Sequence, residues 1–274
     1  MKRSLLLSIL ISCLVGCDSD EATDENEEVL STVPLIPYEE TNFFLHDTTL
    51  FTEGLLMHNG ELFESTGSPD TNRRSMIGVS DLKKRNFVQK IELDNKKYFG
   101  EGIVFMKDKL YQLTYKTQTG FIYDASTFKL LNQFRYSNKE GWALTTDGTH
   151  LIMSDGTDTL TYLNPNTLKP DKYLRVTENG IRRDSLNELE FVKGYIFANV
   201  WLSNYIVKID PTDGKVVGKL DLNLLAFKAR TIQPYCDVLN GIAYDSTIDA
   251  LYVTGKLWPY IYQIKLTPQT EAKK

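Results

Sequence analysis

The sequence predicts an all-β protein folded as a five-bladed β-propeller, on the basis of three observations. A motif recurs at spacings of roughly 40–50 residues, as propeller blades do. Each copy opens a series of short apolar strands separated by turn residues. An additional strand precedes the first copy, and the last copy is one strand short. The five copies begin at Glu53-Gly54, Glu101-Gly102, Glu140-Gly141, Asn187-Glu188 and Asn240-Gly241.

The first four copies each contain four predicted strands. In the first copy, Asn59-Gly60 separates two apolar stretches, and this pair is a strong signal for a tight hairpin. The other strands alternate with turn residues in the same way. The predicted strands are 54–57, 62–66, 75–79 and 87–91; 102–106, 109–114, 120–124 and 130–134; 142–145, 150–154, 160–163 and 172–176; and 189–192, 196–200, 206–209 and 216–220.

The fifth copy contains three predicted strands, at 242–244, 250–254 and 260–264. The stretch Tyr38 to Leu45 precedes the first copy and has no partner strand there. We therefore expect it to complete the fifth blade, which would join the ends of the ring and cover a sheet edge. The segment Asn223 to Asp237 is expected to be a long loop with a short helix. A two-sheet sandwich is the alternative, but its turns would not repeat at blade length.

The first residues resemble a bacterial lipoprotein signal. Two basic residues precede the apolar run Leu5 to Val15, which is too short to span a bilayer as a stable helix. The run closes with Leu14-Val15-Gly16-Cys17, which resembles a lipobox, whose cysteine is diacylated. We expect residues 1–16 to be a signal peptide and Cys17 to anchor the protein to a membrane of the bacterial cell envelope, on the periplasmic or surface face. An ordinary signal peptide with an incidental cysteine is the alternative.

The net charge of the chain comes from the stretch around this cysteine. Residues 1–33 hold seven acidic and two basic residues, so the rest of the chain holds 29 of each. We expect residues 17–36 to form a disordered acidic tether, 37–268 the propeller and 269–274 a C-terminal tail. A formally neutral folded part has no excess of basic residues for nucleic acid, so nucleic-acid binding is not expected.

The sequence lacks several motifs that would indicate other chemistry. It contains no HExxH, CxxC, GxSxG or phosphate-loop motif. The histidines His46, His58 and His150 are not at metal-ligand spacing, and we expect His46 and His58 at the surface or at a sheet edge. The remaining candidates for general acid–base catalysis are the glutamates, together with Lys256. We expect no metal and no other cofactor.

The recurring motif also predicts a site. Residues at the start of each inner strand should meet at one rim of the channel, where carboxylates repel one another and are costly to desolvate. The residues expected there are Glu53, Glu101, Glu140 or Trp142, Asn187 and Asn240, of which we expect Glu140 and Asn240 to be mainly structural. Apolar walls with a few polar groups are typical of a small-ligand pocket. The aromatic residues Phe51, Phe99, Trp142, Trp201 and Trp258 lie beside these positions, and two of the three tryptophans fall at strand ends near the expected rim.

A series of short segments runs collinearly through residues 42–266. These segments are Phe51-Thr-Glu-Gly-Leu55, Leu62-Phe-Glu-Ser-Thr-Gly67, Tyr98-Phe-Gly-Glu-Gly-Ile103, Lys109-Leu-Tyr-Gln-Leu113, Thr119-Gly-Phe-Ile-Tyr-Asp124, Gly141-Trp142, Thr146-Asp-Gly148, Ser154-Asp-Gly156, Leu186-Asn-Glu-Leu-Glu190, Ala198-Asn-Val-Trp201, Asp237-Val-Leu-Asn-Gly-Ile242 and Val253-Thr-Gly-Lys-Leu-Trp-Pro259. Together they resemble the plant and bacterial type of glutaminyl cyclase, also called glutamine cyclotransferase.

The resemblance implies a five-bladed propeller and an acyltransferase. The implied reaction converts the N-terminal glutamine of peptides or proteins to pyroglutamate and releases ammonia, without a metal. The family's catalytic glutamate, a general acid and base, falls on Glu101. The other implied site residues are Asn187 as amide ligand, Lys256 as lysine, and Phe51, Phe99, Trp142 and Trp201 as substrate-binding aromatics.

Two positions depart from the plant pattern. Glu53 stands where plant members carry glutamine, and Tyr115 stands where they carry tryptophan. We expect both residues to contact the substrate, and Glu53 could bind the substrate ammonium. These departures concern substrate range and pH optimum more than the reaction itself.

We expect a monomer whose partners are peptides or proteins with N-terminal glutamine and, through Cys17, a membrane. A lipid-anchored, non-catalytic propeller that binds peptides or glycans is the alternative, because a fold alone does not define a function. It predicts loss of the Glu101-type acid or of the pocket tryptophans, and the sequence contains both. A six-bladed, metal-dependent, lactonase-like propeller is a third reading, against which five repeats and the absence of a metal-ligand cluster count.

Overall fold

The computed structural model describes residues 33–70 and 72–267. The expected signal peptide, Cys17, most of the acidic tether and the tail 269–274 lie outside the described residues, and they stay predictions. Within the described part, the strands form five four-stranded sheets and one two-stranded ribbon. Each four-stranded sheet is one blade, so the predicted five-bladed propeller is confirmed.

The strands are antiparallel within every blade. The first strand of the described residues is β1 (Tyr38–Leu45). Blade one then comprises β2 (Thr52–His58), β3 (Glu61–Thr66), β4 (Met76–Asp81) and β5 (Asn86–Glu92), and blade two comprises β6 (Gly100–Met106), β7 (Lys109–Thr114), β8 (Thr119–Asp124) and β9 (Leu130–Arg135). Blade three comprises β10 (Leu144–Thr146), β11 (Leu151–Met153), β12 (Thr159–Leu163) and β13 (Pro170–Arg175).

The second half of the ring follows a short insertion. The ribbon of β14 (Thr177–Glu178) and β15 (Ile181–Arg182) leads into blade four, which comprises β16 (Leu186–Val192), β17 (Tyr195–Val200), β18 (Tyr205–Ile209) and β19 (Val216–Asp221). The helix α1 (Asn223–Ile232) connects it to blade five, which contains β20 (Leu239–Asp245), β21 (Ala250–Gly255) and β22 (Tyr260–Leu266).

The N-terminal strand closes the ring. In the fifth sheet the order is β1-β22-β21-β20, and β1 pairs antiparallel with β22, with Leu45 opposite Tyr260. The predicted closure is therefore confirmed, and the sandwich and six-bladed alternatives are wrong. On the inner side, the Asn240 side chain donates to the Thr52 carbonyl at 3.0 Å and ties blade five to blade one. This contact is structural, as expected for Asn240.

The glycine of the recurring motif allows the inner strands to approach one another. A Cβ atom on Gly102 would lie 2.4 Å from the Cα of Ala143, and one on Gly54 would lie 3.1 Å from the Cα of Gly102. No side chain fits at such short distances. The Gly102 N–H donates to the Trp142 carbonyl at 2.8 Å, which connects blade two to blade three. The motif glycines therefore serve the packing around the channel.

Two predicted connections are confirmed and one element was not predicted. Asn59 and Gly60 join β2 to β3 with φ of 51° and 79°, as a two-residue hairpin with both central residues at positive φ requires. The helix α1 lies in the predicted loop and packs Leu225, Ala226 and Ala229 against the core formed by blades four and five. The sequence did not indicate the ribbon β14–β15. In the part of the chain that the structure describes, no helix is both long and apolar enough to cross a membrane.

The prediction for His46 is wrong, because this residue is buried. Its Nδ1 lies 2.8 Å from the Trp258 carbonyl oxygen, and its Nε2 lies 3.1 and 3.2 Å from the two carboxylate oxygens of Glu64. Both partners accept hydrogen bonds, so both ring nitrogens must donate and the ring is an imidazolium. Glu64 also accepts hydrogen bonds from the hydroxyls of Thr52 and Ser80, at 2.8 and 2.6 Å. We call His46 and Glu64 the closure pair.

The closure pair joins the two blades at which the ring closes. Trp258 belongs to the loop between β21 and β22 in blade five, and Glu64 lies on β3 in blade one. Thr52, which contacts Glu64, lies between Phe51 and Glu53 in the sequence. The closure pair therefore supports the chain segment that carries two of the predicted site residues.

Candidate active site

All nine predicted site residues line one cavity at the inner-strand starts of the propeller. The cavity has a volume of about 350 Å³. These residues come from all five blades, since the inner strands and the loops beside them meet around the channel axis. The nine are Phe51, Glu53, Phe99, Glu101, Tyr115, Trp142, Asn187, Trp201 and Lys256.

Local irregularities of the inner strands direct the polar side chains. The register of the first strand pair of a blade shifts around Glu53, Glu101 and Asn187. Such bulges re-aim a side chain. The neighbouring blade then holds the backbone, since Ser65 Oγ donates to the Glu101 carbonyl at 2.9 Å and Ser154 Oγ donates to the Asn187 carbonyl at 2.8 Å. The sequence thus positions these side chains through contacts between blades.

Glu53 and Glu101 form a carboxyl pair in the deep part of the cavity. Their side chains are only 2% and 5% exposed, and each shifts the pKa of the other. Two neighbouring buried carboxyl groups do not both ionise readily, because two adjacent buried charges are costly. Burial, followed by the charge of Glu53, raises the pKa of Glu101 well above its usual range. Glu101 is therefore the member that holds a proton.

Lys256 determines which carboxyl group stays ionised. Its Nζ lies 2.7 Å from each carboxylate oxygen of Glu53 and 4.6 Å from the centre of the Phe51 ring. Burial disfavours the ammonium, but the charge of Glu53, together with its hydrogen bond to Lys256, is chief among the causes that outweigh burial and raise the pKa of Lys256. Burial raises the pKa of Glu53, and the charge and hydrogen bond of the Lys256 ammonium oppose this shift. Glu101 is left as the group that can gain and lose a proton.

Two groups of aromatic side chains enclose the carboxyl pair. Phe51 and Phe99 pack edge to face with ring centroids 6.3 Å apart, and Tyr115 lies 5.7 Å from Phe99. Trp142 and Trp201 pack edge to face at 5.6 Å. These walls shield the polar groups from water and restrict the orientations that a bound molecule can adopt.

Trp142 is held on two sides. Its indole N–H donates to the Glu140 carboxylate at 2.9 Å, and the Lys116 Nζ lies 3.6 Å from the other Glu140 oxygen. Gly156, with φ of +79°, lies against the ring, where a Cβ atom would come within 2.6 Å. The indole N–H therefore already donates a hydrogen bond to Glu140 and is not free to bind a ligand. Glu140 is structural, as expected, and its structural role is to position an aromatic wall of the site.

Asn187 lines the cavity, and its side-chain oxygen has no hydrogen-bond partner among the described residues. The side chain is 3% exposed, and its Oδ1 is buried without a hydrogen bond. Leaving such a group unsatisfied costs about 1–3 kcal/mol. An unsatisfied amide in the wall of a cavity is suited to bind a ligand toward which it can turn.

Four lining residues were not assigned from the sequence. They are Pro69, Leu202, Asp237 and Val238. Val238 lies two residues before the polar residue of the fifth copy, as Phe51 lies before Glu53, so the repeat could have located it. Pro69 and Leu202 lie in loops beyond the inner strands, where the motif spacing carries no information.

The fold and the cavity define the class to which the protein belongs. It is a five-bladed propeller in which a buried carboxyl pair, a lysine and an asparagine lie between aromatic walls. The sequence matches the glutamine cyclotransferase family over residues 8–266. The chain therefore belongs to the glutamine cyclotransferase family.

Known relatives agree with this assignment. The chain is 43% identical over 241 residues to the glutaminyl-peptide cyclotransferase of Arabidopsis thaliana, a match that covers 84% of this chain and 71% of the relative. The crystal structure of Myxococcus xanthus glutaminyl cyclase is similar, with a TM-score of 0.78 and 32% identity, covering 85% of this chain and 98% of that one. The family resemblance predicted from the sequence segments is confirmed.

Proposed function

We propose that this protein converts the N-terminal glutamine of peptides or proteins to pyroglutamate and releases ammonia. The observation that carries the proposal is the carboxyl pair of Glu53 and Glu101, which lies in one cavity with Lys256 and with Asn187, whose amide oxygen has no partner among the described residues. Membership of the glutamine cyclotransferase family supports it, as does the Arabidopsis relative's name as a glutaminyl-peptide cyclotransferase.

The reaction requires the substrate to fold back on itself. The α-amine nitrogen forms a bond to the side-chain amide carbon, and the bond from that carbon to the amide nitrogen breaks. Holding both groups in a near-attack arrangement removes much of the entropic part of the barrier. The aromatic walls of the cavity limit the bound glutamine to compact conformations.

Glu101 is the proposed proton carrier. In its ionised form it takes a proton from the attacking amine, and it then delivers this proton to the amide nitrogen, which leaves as ammonia. A general base works best when its pKa lies near the operating pH. Burial and the Glu53 charge move the pKa of Glu101 in that direction.

The other polar residues have supporting roles. Asn187 turns its unsatisfied amide toward the side-chain amide of the substrate. Its oxygen then accepts an N–H, and its nitrogen donates to the carbonyl oxygen as negative charge develops. Lys256 keeps Glu53 ionised, and Glu53 then attracts the substrate amine. The indole N–H of Trp142 is not available to the oxyanion, because it donates to Glu140.

The proposed mechanism uses side chains for every step and requires no metal. In the residues that the structure describes, no three histidine, cysteine, aspartate or glutamate side chains are grouped to hold a metal ion. Chelator treatment of the protein is therefore expected to leave turnover unchanged. Loss of activity that a divalent cation restores would contradict the metal-free mechanism.

Ammonia release from a glutamine-leading dipeptide tests the proposal. The purified full chain is expected to release ammonia and to form a pyroglutamyl product that mass spectrometry detects. An asparagine-leading dipeptide is the matched control, because its cyclisation would form a strained four-membered ring. Peptide binding without ammonia release would favour the non-catalytic alternative instead.

Substitutions of Glu140 are expected to separate two effects of this residue. Glu140→Gln keeps an oxygen for the Trp142 indole N–H but removes a charge that helps to raise the pKa of Glu101. The acidic limb of kcat/KM against pH is therefore expected to move to lower pH, with little change in KM. Glu140→Ala also removes the acceptor, and loss of this charge-assisted hydrogen bond is expected to raise KM about tenfold. An unshifted profile in the first variant together with an unchanged KM in the second would exclude a positioning role.

A further inference from the structure

The exposure of the lining residues increases from the deep part of the cavity to its opening. Glu53, Asn187 and Glu101 are 2%, 3% and 5% exposed, whereas Trp201 is 42% and Leu202 is 70% exposed. When the reacting groups of glutamine lie at Glu101, the rest of the peptide must leave the cavity at its exposed end. Leu202 is the most exposed of these lining residues and therefore lies at that end.

Leu202 occupies an unfavourable backbone conformation. The Ser203 N–H donates to the Val200 carbonyl at 3.1 Å and closes a turn in which Leu202 has φ of +60°. Glycine or asparagine is favoured at a turn position with positive φ, and other side chains cost free energy there.

Blade five contains the same turn, with a leucine at the same position. The Trp258 N–H donates to the Gly255 carbonyl at 3.1 Å, and Leu257 has φ of +61°. Leu257 is only 9% exposed, so burial of its side chain compensates the strain. Leu202, at 70% exposure, has no comparable compensation in the free protein. Strain of this kind beside a site is the observation from which a functional role is inferred.

We infer that Leu202 is a specificity-determining residue that contacts the side chain of the second substrate residue and favours an apolar one. The inference rests on the proposed function and narrows its substrate class to peptides in which an apolar residue follows the N-terminal glutamine. Pro69 and Val238 line the same cavity and add apolar surface. Asp237 places a negative charge there, which opposes an acidic second residue.

The test is the ratio of kcat/KM for glutaminyl-leucine amide to kcat/KM for glutaminyl-serine amide. Leu202→Gly removes the side chain, and Leu202→Asn replaces it with a polar one. Both residues suit positive φ, so neither variant is expected to lose stability. The wild type is expected to favour the leucine substrate about tenfold, and both variants are expected to bring the ratio close to unity.

Leu168→Gly is the matched control. Leu168 also has positive φ, 58°, and it is not among the residues that line the cavity. This variant is expected to keep the wild-type ratio. A wild-type ratio near unity, or a ratio that the Leu202 variants do not change, would overturn the inference while leaving the proposed function intact. Absence of ammonia release from both substrates in the wild type would overturn the proposed function and the inference together.

Discussion

Glu101→Gln is expected to lower kcat by about 10²–10⁴-fold, the usual contribution of a general acid–base group. Glutamine has nearly the shape of protonated glutamate, and its amide is likewise uncharged beside the Glu53 carboxylate. Substrate binding should therefore survive. Single-turnover kinetics on a glutaminyl peptide, together with an equilibrium binding measurement, would separate the chemical step from binding.

The same variant is expected to gain stability at alkaline pH. The pKa of Glu101 is raised in the folded protein by burial and by Glu53, so the folded state holds this proton more tightly than the unfolded state. The stability of the wild type therefore falls as pH rises above the unfolded value of 4.5, up to the folded pKa. Glu101→Gln has no carboxyl group to ionise at this position, so its stability does not fall in this way. Its Tm should therefore exceed that of the wild type by a margin that grows as pH rises above 4.5.

A control for this result is Glu61→Gln, which changes an exposed glutamate on β3. It is expected to leave both kcat and Tm nearly unchanged. Near-wild-type turnover in Glu101→Gln would remove Glu101 from the mechanism. A large loss of Tm in that variant would show that the residue is mainly structural.

His46→Leu is expected to destabilise the protein by about 3–5 kcal/mol, because it leaves the buried Glu64 carboxylate without its partner. For a domain of this size, such a loss corresponds to a decrease in Tm of roughly 6–20 °C. The ring would be weakened at the junction of blades five and one. Thermal unfolding followed by circular dichroism measures the effect.

The pH dependence of this effect follows from both members of the closure pair. Burial disfavours the imidazolium, but the Glu64 charge outweighs it and raises the pKa of His46 above 6.5. Burial also opposes ionisation of Glu64, but His46 and the two hydroxyls outweigh it and lower the pKa of Glu64 below 4.5. The contribution of His46 to the free energy of unfolding is lost as pH rises through the pKa of His46 in the folded protein. The contribution of Glu64 is lost as pH falls through the pKa of Glu64 in the folded protein.

The stability difference between wild type and His46→Leu should therefore be largest between pH 4.5 and pH 6.5. His150→Leu is the matched control, since His150 Nδ1 also contacts a carboxylate, that of Asp147 at 3.1 Å, but is partly exposed. Its loss is expected to stay below about 1 kcal/mol. Equal losses of stability in the two variants would contradict the proposed stabilising role of the closure pair.

Much of the fold could be predicted because a propeller repeats one structural unit. The motif spacing identified five inner strands, and the unpaired stretch Tyr38 to Leu45 identified the closing strand. The burial of His46 could not be predicted in this way. Its partners, Glu64 and Trp258, lie 18 and 212 residues away and meet it only when the ring closes.

The residues of the cavity were predictable to a similar extent. Equivalent positions of the repeat meet at the channel, so Glu53, Glu101 and Asn187 could be assigned from spacing. The aromatic residues beside them followed from their places near the motif and from the family resemblance. The sequence does not identify Leu202 as a cavity residue, because it lies in a loop outside the repeat motif. Its backbone conformation and its exposure are visible only in the structure.

The sequence alone was sufficient to place three glutamates, Glu53, Glu101 and Glu140, near one rim. It could not distinguish among them, because the pKa of a carboxyl group depends on burial and on charges nearby in space. In the folded ring the Lys256 ammonium pairs with Glu53, and the indole N–H of Trp142 donates a hydrogen bond to Glu140. Glu101 is buried beside the charged Glu53. Contacts between blades thus give these three glutamates three different roles.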